Sequence, residues 1–383
     1  MTTSSQTPTP KKRVLILSYA DWEGLARMPG MLHQATCEVS VFCRQHTYLS
    51  LSRFVQHCFS QPAGIGLSEF VEQVGLHLQH HDYDWILPGD DPLLYELAKR
   101  ADQDSWAKAI LAGVIDTQRL AFATSKSQFY LDASRHGLSM PESLLCQNQS
   151  DLLAAAQTLG YPLVLKETQG FAGLAVCIVR NPAELQNYRL TQAVLAQRYI
   201  DGQLLSVAAV YQAGQLLAYF SYYRSRTWGK LGPSAAIRFQ EFQGMTEILQ
   251  KLGQLSGFSG QCGIDLIQDQ RSGEIYLLEQ NFRPTLTADL GPLAGVDLAL
   301  ALAEMLGLRH HQQLQQPNPN CQRERPLFPQ DLLRALDERD WLGSLRWLCL
   351  PHYWRYCRWQ EPKILRRNLR IVAAKLLKAD NLA

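Results

Sequence analysis

Apolar residues follow two different rhythms along this chain. In the first third, short apolar runs alternate with stretches where apolar positions recur every three or four residues. The runs are RVLILS (13–18), EVSVFC (38–43) and DWILP (84–88). The helical rhythm occupies residues 22–35, about 66–80, and the stretch from Pro92. Short strands separated by helices predict a parallel, doubly wound sheet, here over residues 13–115. Past residue 120 the pattern changes. A helix at 124–136 ends at Gly137, a suitable C-cap. YPLVLKE (161–167) and LAVCIVR (174–180) then read as two strands around a glycine-containing turn. Two long hairpins follow: LLSVAAVY and QLLAYFSYYR around Gln212-Ala213-Gly214, and CGIDLIQ and EIYLLEQN around Asp269 to Gly273. Paired strands joined by short glycine turns predict an antiparallel sheet. Helices are expected at about 244–256 and 293–306.

The expected organisation is therefore a disordered tail (1–12), an N-terminal α/β domain (13–115), a small α+β lobe (116–190), a larger antiparallel lobe (191–308), a Gln/Asn/Pro/His-rich linker (309–326) and a helical tail (327–383). The fold class is α/β plus α+β. No internal repeat is visible.

Composition narrows the setting. The chain has 383 residues, 46% hydrophobic and 19% charged, which is ordinary for two or three packed domains. A net charge of +2 gives no reason to expect nucleic acid. The nine cysteines are odd in number and form no CxxC pair. Zinc ligation and a disulfide framework are thus poor readings, and a reducing cytoplasm is the expected compartment. No stretch reaches the ~18 apolar residues of a spanning helix.

Three features carry candidate chemistry. Lys166 ends an apolar strand just before Gln169-Gly-Phe-Ala-Gly173. Such a lysine either snorkels out of the strand end or reaches a phosphate, with the Gly170 and Gly173 loop covering other phosphate oxygens through its backbone N–H groups. The segment Leu195-Ala-Gln-Arg-Tyr-Ile-Asp-Gly202 is either a plain strand and turn or an interdomain hinge. As a hinge it would offer backbone groups to an adenine edge, with Tyr199 and Ile200 as apolar walls. Third, Glu279 and Asn281 lie two apart on one hairpin strand and share a face, and the turn places Asp265 opposite them. Carboxylate and amide oxygens that leave positions open for phosphates are how Mg²⁺ is held. Arg283 follows at the same spacing, where it could stabilise a phosphoryl group or an oxyanion.

In order and spacing these pieces resemble the ATP-grasp superfamily over roughly residues 13–305, in the manner of carboxylate–amine ligases and the ATP-binding fold of carbamoyl phosphate synthase. The matching segments are Lys126 in ATSKSQFYLDASRHGLSMPES, Lys166 in YPLVLKETQGFAG, AQRYIDG, Asp265 and EQNFRPT. The resemblance implies an ATP cleft between two antiparallel sheets. Lys126 and Lys166 would contact phosphates, Gln197, Arg198, Tyr199 and Ile200 would line the adenine site, and Asp265, Glu279 and Asn281 would hold one or two Mg²⁺, with Mn²⁺ as a possible substitute. The implied reaction converts a small carboxylate into an acyl phosphate that an amine attacks, with Arg283 or Arg238 stabilising the oxyanion. A nucleotide-binding module without turnover and an enzyme with a non-amine acceptor are the alternatives. Two departures from the family stand out. Gln203-Leu204-Leu205 follows the hinge glycine where a ribose-binding glutamate is usual, and the lid has few glycines.

Three other segments have two readings each. Tyr222 to Ser234 is aromatic and basic, fit for an acidic substrate or for a solvated loop. Asp90 or Asp91, after the strand DWILP, is either a substrate contact or a helix cap at Asp91 with Pro92 first in the helix. From 341 to 378 the tail holds nine Lys/Arg, one acid (Glu361) and six Trp or Tyr. It either packs on the core or makes peripheral contact with a membrane. A homo-oligomer is compatible with all of this.

Overall fold

A computed structural model describes residues 11–168, 176–229, 232–310, 314 and 324–379. The lid glycines Gly170 and Gly173, and most of the expected N-terminal tail and linker, lie outside the described residues.

The N-terminal domain is the expected parallel sheet. Strands β1 (Arg13–Ser18), β2 (Glu38–Arg44), β3 (His57–Gln61) and β4 (Trp85–Pro88) lie in the order β3-β2-β1-β4, all parallel. Val14 to Leu17 are fully buried because helices cover both faces. These are α1 (Met28–Gln34), α2 (Leu67–Leu78), α3 (Asp91–Arg100) and α4 (Ser105–Ala112).

Two short helices, α5 (Leu120–Thr124) and α6 (Lys126–Arg135), lead out of this domain. The Ser125 hydroxyl caps α6 by accepting from the Gln128 N–H at 3.3 Å, and Gly137 (φ 70°) ends it. The small lobe comprises β5 (Ser143–Cys146), α7 (Gln149–Leu159), β6 (Leu163–Glu167), β7 (Val176–Val179), α8 (Pro182–Asn187) and β8 (Val194–Arg198). Its sheet is antiparallel, in the order β5-β8-β6-β7, over a core that includes Leu152, Leu163 and Ala196. The lobe thus extends to Arg198, not 190, because β8 pairs with both β5 and β6.

The larger lobe is a six-stranded sheet ordered β13-β12-β9-β10-β11-β14. Its strands are β9 (Gly202–Gln212), β10 (Gln215–Thr227), β11 (Ser234–Phe239), β12 (Gly260–Asp269), β13 (Ile275–Asn281) and β14 (Glu324–Pro326). The β9–β10 turn places Ala213 (φ 45°) and Gly214 (φ 81°) in left-handed backbone, as a two-residue hairpin of the primed type requires. Helices α9 (Met245–Ser256) and α10 (Leu298–Met305) pack on the sheet.

The C-terminal segment folds as α11 (Gln330–Asp337), α12 (Trp341–Cys349), α13 (Pro351–Trp354) and α14 (Pro362–Ala379). Of the two readings of the aromatic tail, packing on the chain accounts for part of it. Trp347 and Tyr353 are buried, and Trp354 packs with them against Phe328 and Leu332. Much of the aromatic content therefore builds a satellite core. The segment is also tied to the rest of the chain. Arg226 pairs with Asp331, Gln330 donates to Glu23, and Glu361 accepts from Ser52 and Arg53. No helix among the described residues is long and apolar enough to cross a membrane.

Candidate active site

A cleft opens between the two antiparallel sheets and the N-terminal domain. Its floor comes from the β12–β13 hairpin. Asp265 pairs with Glu279 across the ladder, and Gly263 pairs with Asn281. Leu278 is left without a partner where the register shifts, a bulge of the kind that re-aims side chains beside a site. Lys166, at the end of β6, enters from the small lobe. Lys126 arrives from the first turn of α6, with Phe129 and Tyr130 on the same helical face. Lys126, Lys166, Glu279 and Asn281 all line the cleft.

The electrostatics bind the set together. Lys166 is buried, and burial lowers its pKa, helped by the nearby charge of Lys126. Glu279 and Asp265 work in the opposite direction. Two ammonium groups and two carboxylates therefore share one field. Asp265 is held by Arg224 and by the Ser206 hydroxyl at 2.8 Å, both on its Oδ1. Burial alone would raise the Asp265 carboxyl, but the Arg224 charge takes it below its ordinary value. Among the described residues its Oδ2 has only the Asn281 amide, at 3.4 Å. The Glu279 side chain makes no hydrogen bond or ion pair to another described residue, and the residue lines the cleft.

Among the described residues, no three His, Cys, Asp or Glu side chains gather as metal ligands. The available donors are the Glu279 carboxylate, Asp265 Oδ2 and the Asn281 amide oxygen. That set suits Mg²⁺, which keeps waters and phosphate oxygens in its remaining positions.

Arg283 lies beside this set. It pairs with Asp91 at 2.9 Å, approaches Asn281 Oδ1 at 3.5 Å, and has its guanidinium 5.3 Å from the Trp22 ring centre. Asp91 thus lines the cleft from the first domain. The helix cap is one residue earlier than expected: Asp90 accepts from the Leu93 N–H and also from Tyr19 and Ala20 N–H. Burial pushes the Asp90 carboxyl up to about 6 against those three donors.

Other candidates are brought in only in part. Arg238 pairs with Tyr223, one residue out of phase with the row Tyr222–Ser206–Asp265, so it projects from the opposite face of the sheet. It is exposed and lies over the Tyr223 ring. An oxyanion in the cleft is out of its reach. Of the hinge, Leu195 and Gln197 wall the cleft. Gln197 is buried and donates to Ser143 at 2.9 Å. Arg198 turns outward to Glu142, and Tyr199 and Ile200 do not line the cleft. The segment 222–234 does not clamp as a unit: Arg224 enters the site, whereas Arg226 and Trp228 bind the C-terminal helices through Asp331 and Asp337.

Sequence reasoning missed Arg224 as a partner of Asp265, and it missed the apolar wall of Phe122, Phe129, Tyr130, Met140, Val176 and Phe282. A signal for part of the wall was present, since Phe129 and Tyr130 follow Lys126 at i+3 and i+4.

A cleft between two facing antiparallel lobes, lined by two lysines and a free carboxylate, defines the class by its architecture. The family model of the ATP-grasp domain matches residues 123–287. Those residues form an ATP-grasp domain. It is 29% identical over 194 residues to a D-alanine–D-alanine ligase of Nitrosospira multiformis, a match covering 45% of this chain and 63% of the relative. A second such ligase, of Chromohalobacter salexigens, is matched over 52% of its length. The chain thus spans less than two thirds of the length of these curated relatives. Among solved structures, the L-amino acid ligase of Bacillus licheniformis superposes with a TM-score of 0.60 at 18% identity, over 78% of this chain and 75% of that one. An ADP complex of N5-carboxyaminoimidazole ribonucleotide synthetase gives 0.62 at 13% identity, over 88% and 86%. At such identities these likenesses establish the fold.

Lys166→Met should raise the dissociation constant for ATP about tenfold or more, since a charge-assisted contact contributes about 1.5–3 kcal/mol. Replacing a buried ammonium by an apolar chain of similar length should leave the melting temperature intact. Titration calorimetry that finds unchanged nucleotide affinity would remove Lys166 from the phosphate site.

Proposed function

We propose that this chain is an ATP- and Mg²⁺-dependent ligase that activates a small carboxylate as an acyl phosphate for attack by an amine. The observation carrying this reading is the convergence, in one cleft, of Lys126 and Lys166 with Glu279 and Asn281, with Asp265 directly across the ladder from Glu279. The two ammonium groups would hold the phosphate chain. Asp265, Glu279 and Asn281 would hold magnesium, which supplies neutralisation of charge on the transferring phosphoryl group. A carboxylate oxygen attacks the γ-phosphorus, the bond to the bridging oxygen breaks, and ADP leaves. The amine nitrogen then attacks the acyl carbon and loses a proton, and inorganic phosphate departs. Without activation the carboxylate would have to expel hydroxide, a far poorer leaving group. Arg283, beside Asn281, would offset the charge on the tetrahedral oxygen.

The relatives' names, a D-alanine–D-alanine ligase and an L-amino acid ligase, support an amino-acid carboxylate and an amino-acid amine as the first pairing to try. The missing acid after the hinge glycine favours one other reading, a nucleotide-binding module without turnover. ADP release, screened with pools of carboxylic acids and amines, separates the two. The ligase makes ADP only when both partners are present. A chain that binds ATP but yields no ADP in any pool is the binding module. ADP formed with an acid and a non-amine acceptor moves the reaction to a different ligation.

A further inference from the structure

The C-terminal helices leave one surface without cover. In α12, Gly343 and Trp347 face inward. The opposite side of the same helix carries Trp341, Leu342, Leu345 and Leu348, which are 68%, 71%, 52% and 80% exposed. A surface helix of a water-soluble protein normally turns polar residues outward, and a helix apolar all round is one that something covers. Trp359, beyond α13, is 59% exposed as well. Its indole N–H is already bonded to the Trp354 carbonyl, as that of Trp354 is to the Trp347 carbonyl, so the part it exposes is apolar ring.

The exposed charges of this C-terminal segment, 341–378, have a single sign. Between 341 and 378 the one acid is Glu361, which is fully buried. Arg346, Arg355, Lys363, Arg366 and Arg370 are exposed. The acids at the start of α12 are engaged elsewhere: Asp337 with Lys375, and Glu338 and Asp340 with Arg334. A second copy meeting this surface would set like charges against each other. An anionic lipid headgroup layer supplies both things the surface lacks, negative charge and an apolar layer beneath.

We propose that the outer face of α12, with Trp359 and the flanking arginines, docks peripherally on anionic phospholipid bilayers, independently of the catalytic reading. The nine-residue helix would lie in the headgroup plane. The satellite core beneath, with Trp347, Tyr353 and Phe328, would stay folded as in the free protein.

The test is co-sedimentation of the full chain with vesicles of phosphatidylcholine alone and of equal parts phosphatidylcholine and phosphatidylglycerol. The proposal expects binding to the anionic vesicles, weakened by high salt as screening cuts the charge attraction, and little binding to the neutral ones. Leu345→Glu with Leu348→Glu should cut the partition coefficient about tenfold or more through lost apolar contact, with an unchanged melting temperature since both side chains are exposed. Equal recovery of wild-type and double variant in the unbound fraction with anionic vesicles overturns the proposal. A wild-type dimer by light scattering that the double variant abolishes, without vesicle binding, also overturns it and makes the patch a self-association surface.

Discussion

Glu279→Gln is expected to lower ADP formation at least about a hundredfold, because several kcal/mol of charge stabilisation at the transferring phosphate goes with the bound metal ion. Its melting temperature should not move. Glu279 lines the cleft and its side chain makes no hydrogen bond or ion pair to a described residue, so the amide loses a ligand without unbalancing anything else. Asp265→Asn behaves differently. Asp265 neutralises Arg224, a guanidinium whose pKa burial lowers and the Asp265 charge raises. The amide leaves that guanidinium buried without its counter-charge, a loss of up to about 3–5 kcal/mol when one member of a buried pair is removed. Both variants should be inactive, and only Asp265→Asn should unfold at lower denaturant. The measurements are ADP release at limiting and saturating Mg²⁺, and a denaturation curve for each variant. Wild-type ADP production by Glu279→Gln at limiting Mg²⁺ would show that the hairpin does not hold the metal.

The contrast between these two carboxylates marks how far the sequence could be read. Their convergence was legible because a hairpin with a glycine turn has a definite pairing and residues two apart share a face. The Arg224–Asp265 pair was not legible, since it depends on the register of three strands, β10, β9 and β12. The same register moved Arg238 to the far face: a shift of one residue along a strand reverses the side on which its side chain projects. Strands β1, β2 and β4 were plain as apolar runs. By contrast, β3 (HCFSQ) is largely exposed at a sheet edge and has neither an apolar run nor a clean alternation, so nothing in its pattern announced it. In the C-terminal helices the amphipathic rhythm was visible, but which of their aromatic residues turn inward was not. That depends on Phe328, Leu332 and Leu333, which pack as one cluster only in the folded chain.

Those helices also set the second large expected effect. Glu361→Ala should destabilise the chain by about 3–5 kcal/mol, the cost of leaving one charge of a buried pair behind. Glu361 is fully buried and accepts three hydrogen bonds: from the Ser52 hydroxyl at 2.7 Å, from the Arg53 N–H at 2.9 Å and from Arg358 at 3.3 Å. Two of these reach into the N-terminal domain, so this single carboxylate joins α14 to the loop after β2. Arg358 is itself buried and donates to the Ala26 carbonyl. Burial and the neighbouring Arg27 already depress its pKa, while Asp289 and Glu361 oppose that. With Glu361 gone, Asp289 is the remaining acid within 4 Å among the described residues, at 3.8 Å and shared with Arg27. Arg358→Met introduced together with Glu361→Ala should recover part of the loss, because removing both members leaves no uncompensated charge. Exposed Lys363→Ala, two residues away, should stay within about 0.5 kcal/mol of wild type. Urea denaturation of the four proteins, with limited proteolysis to detect release of the C-terminal helices, makes the comparison. If Glu361→Ala unfolds at the wild-type urea midpoint, the carboxylate does not hold these helices to the N-terminal domain.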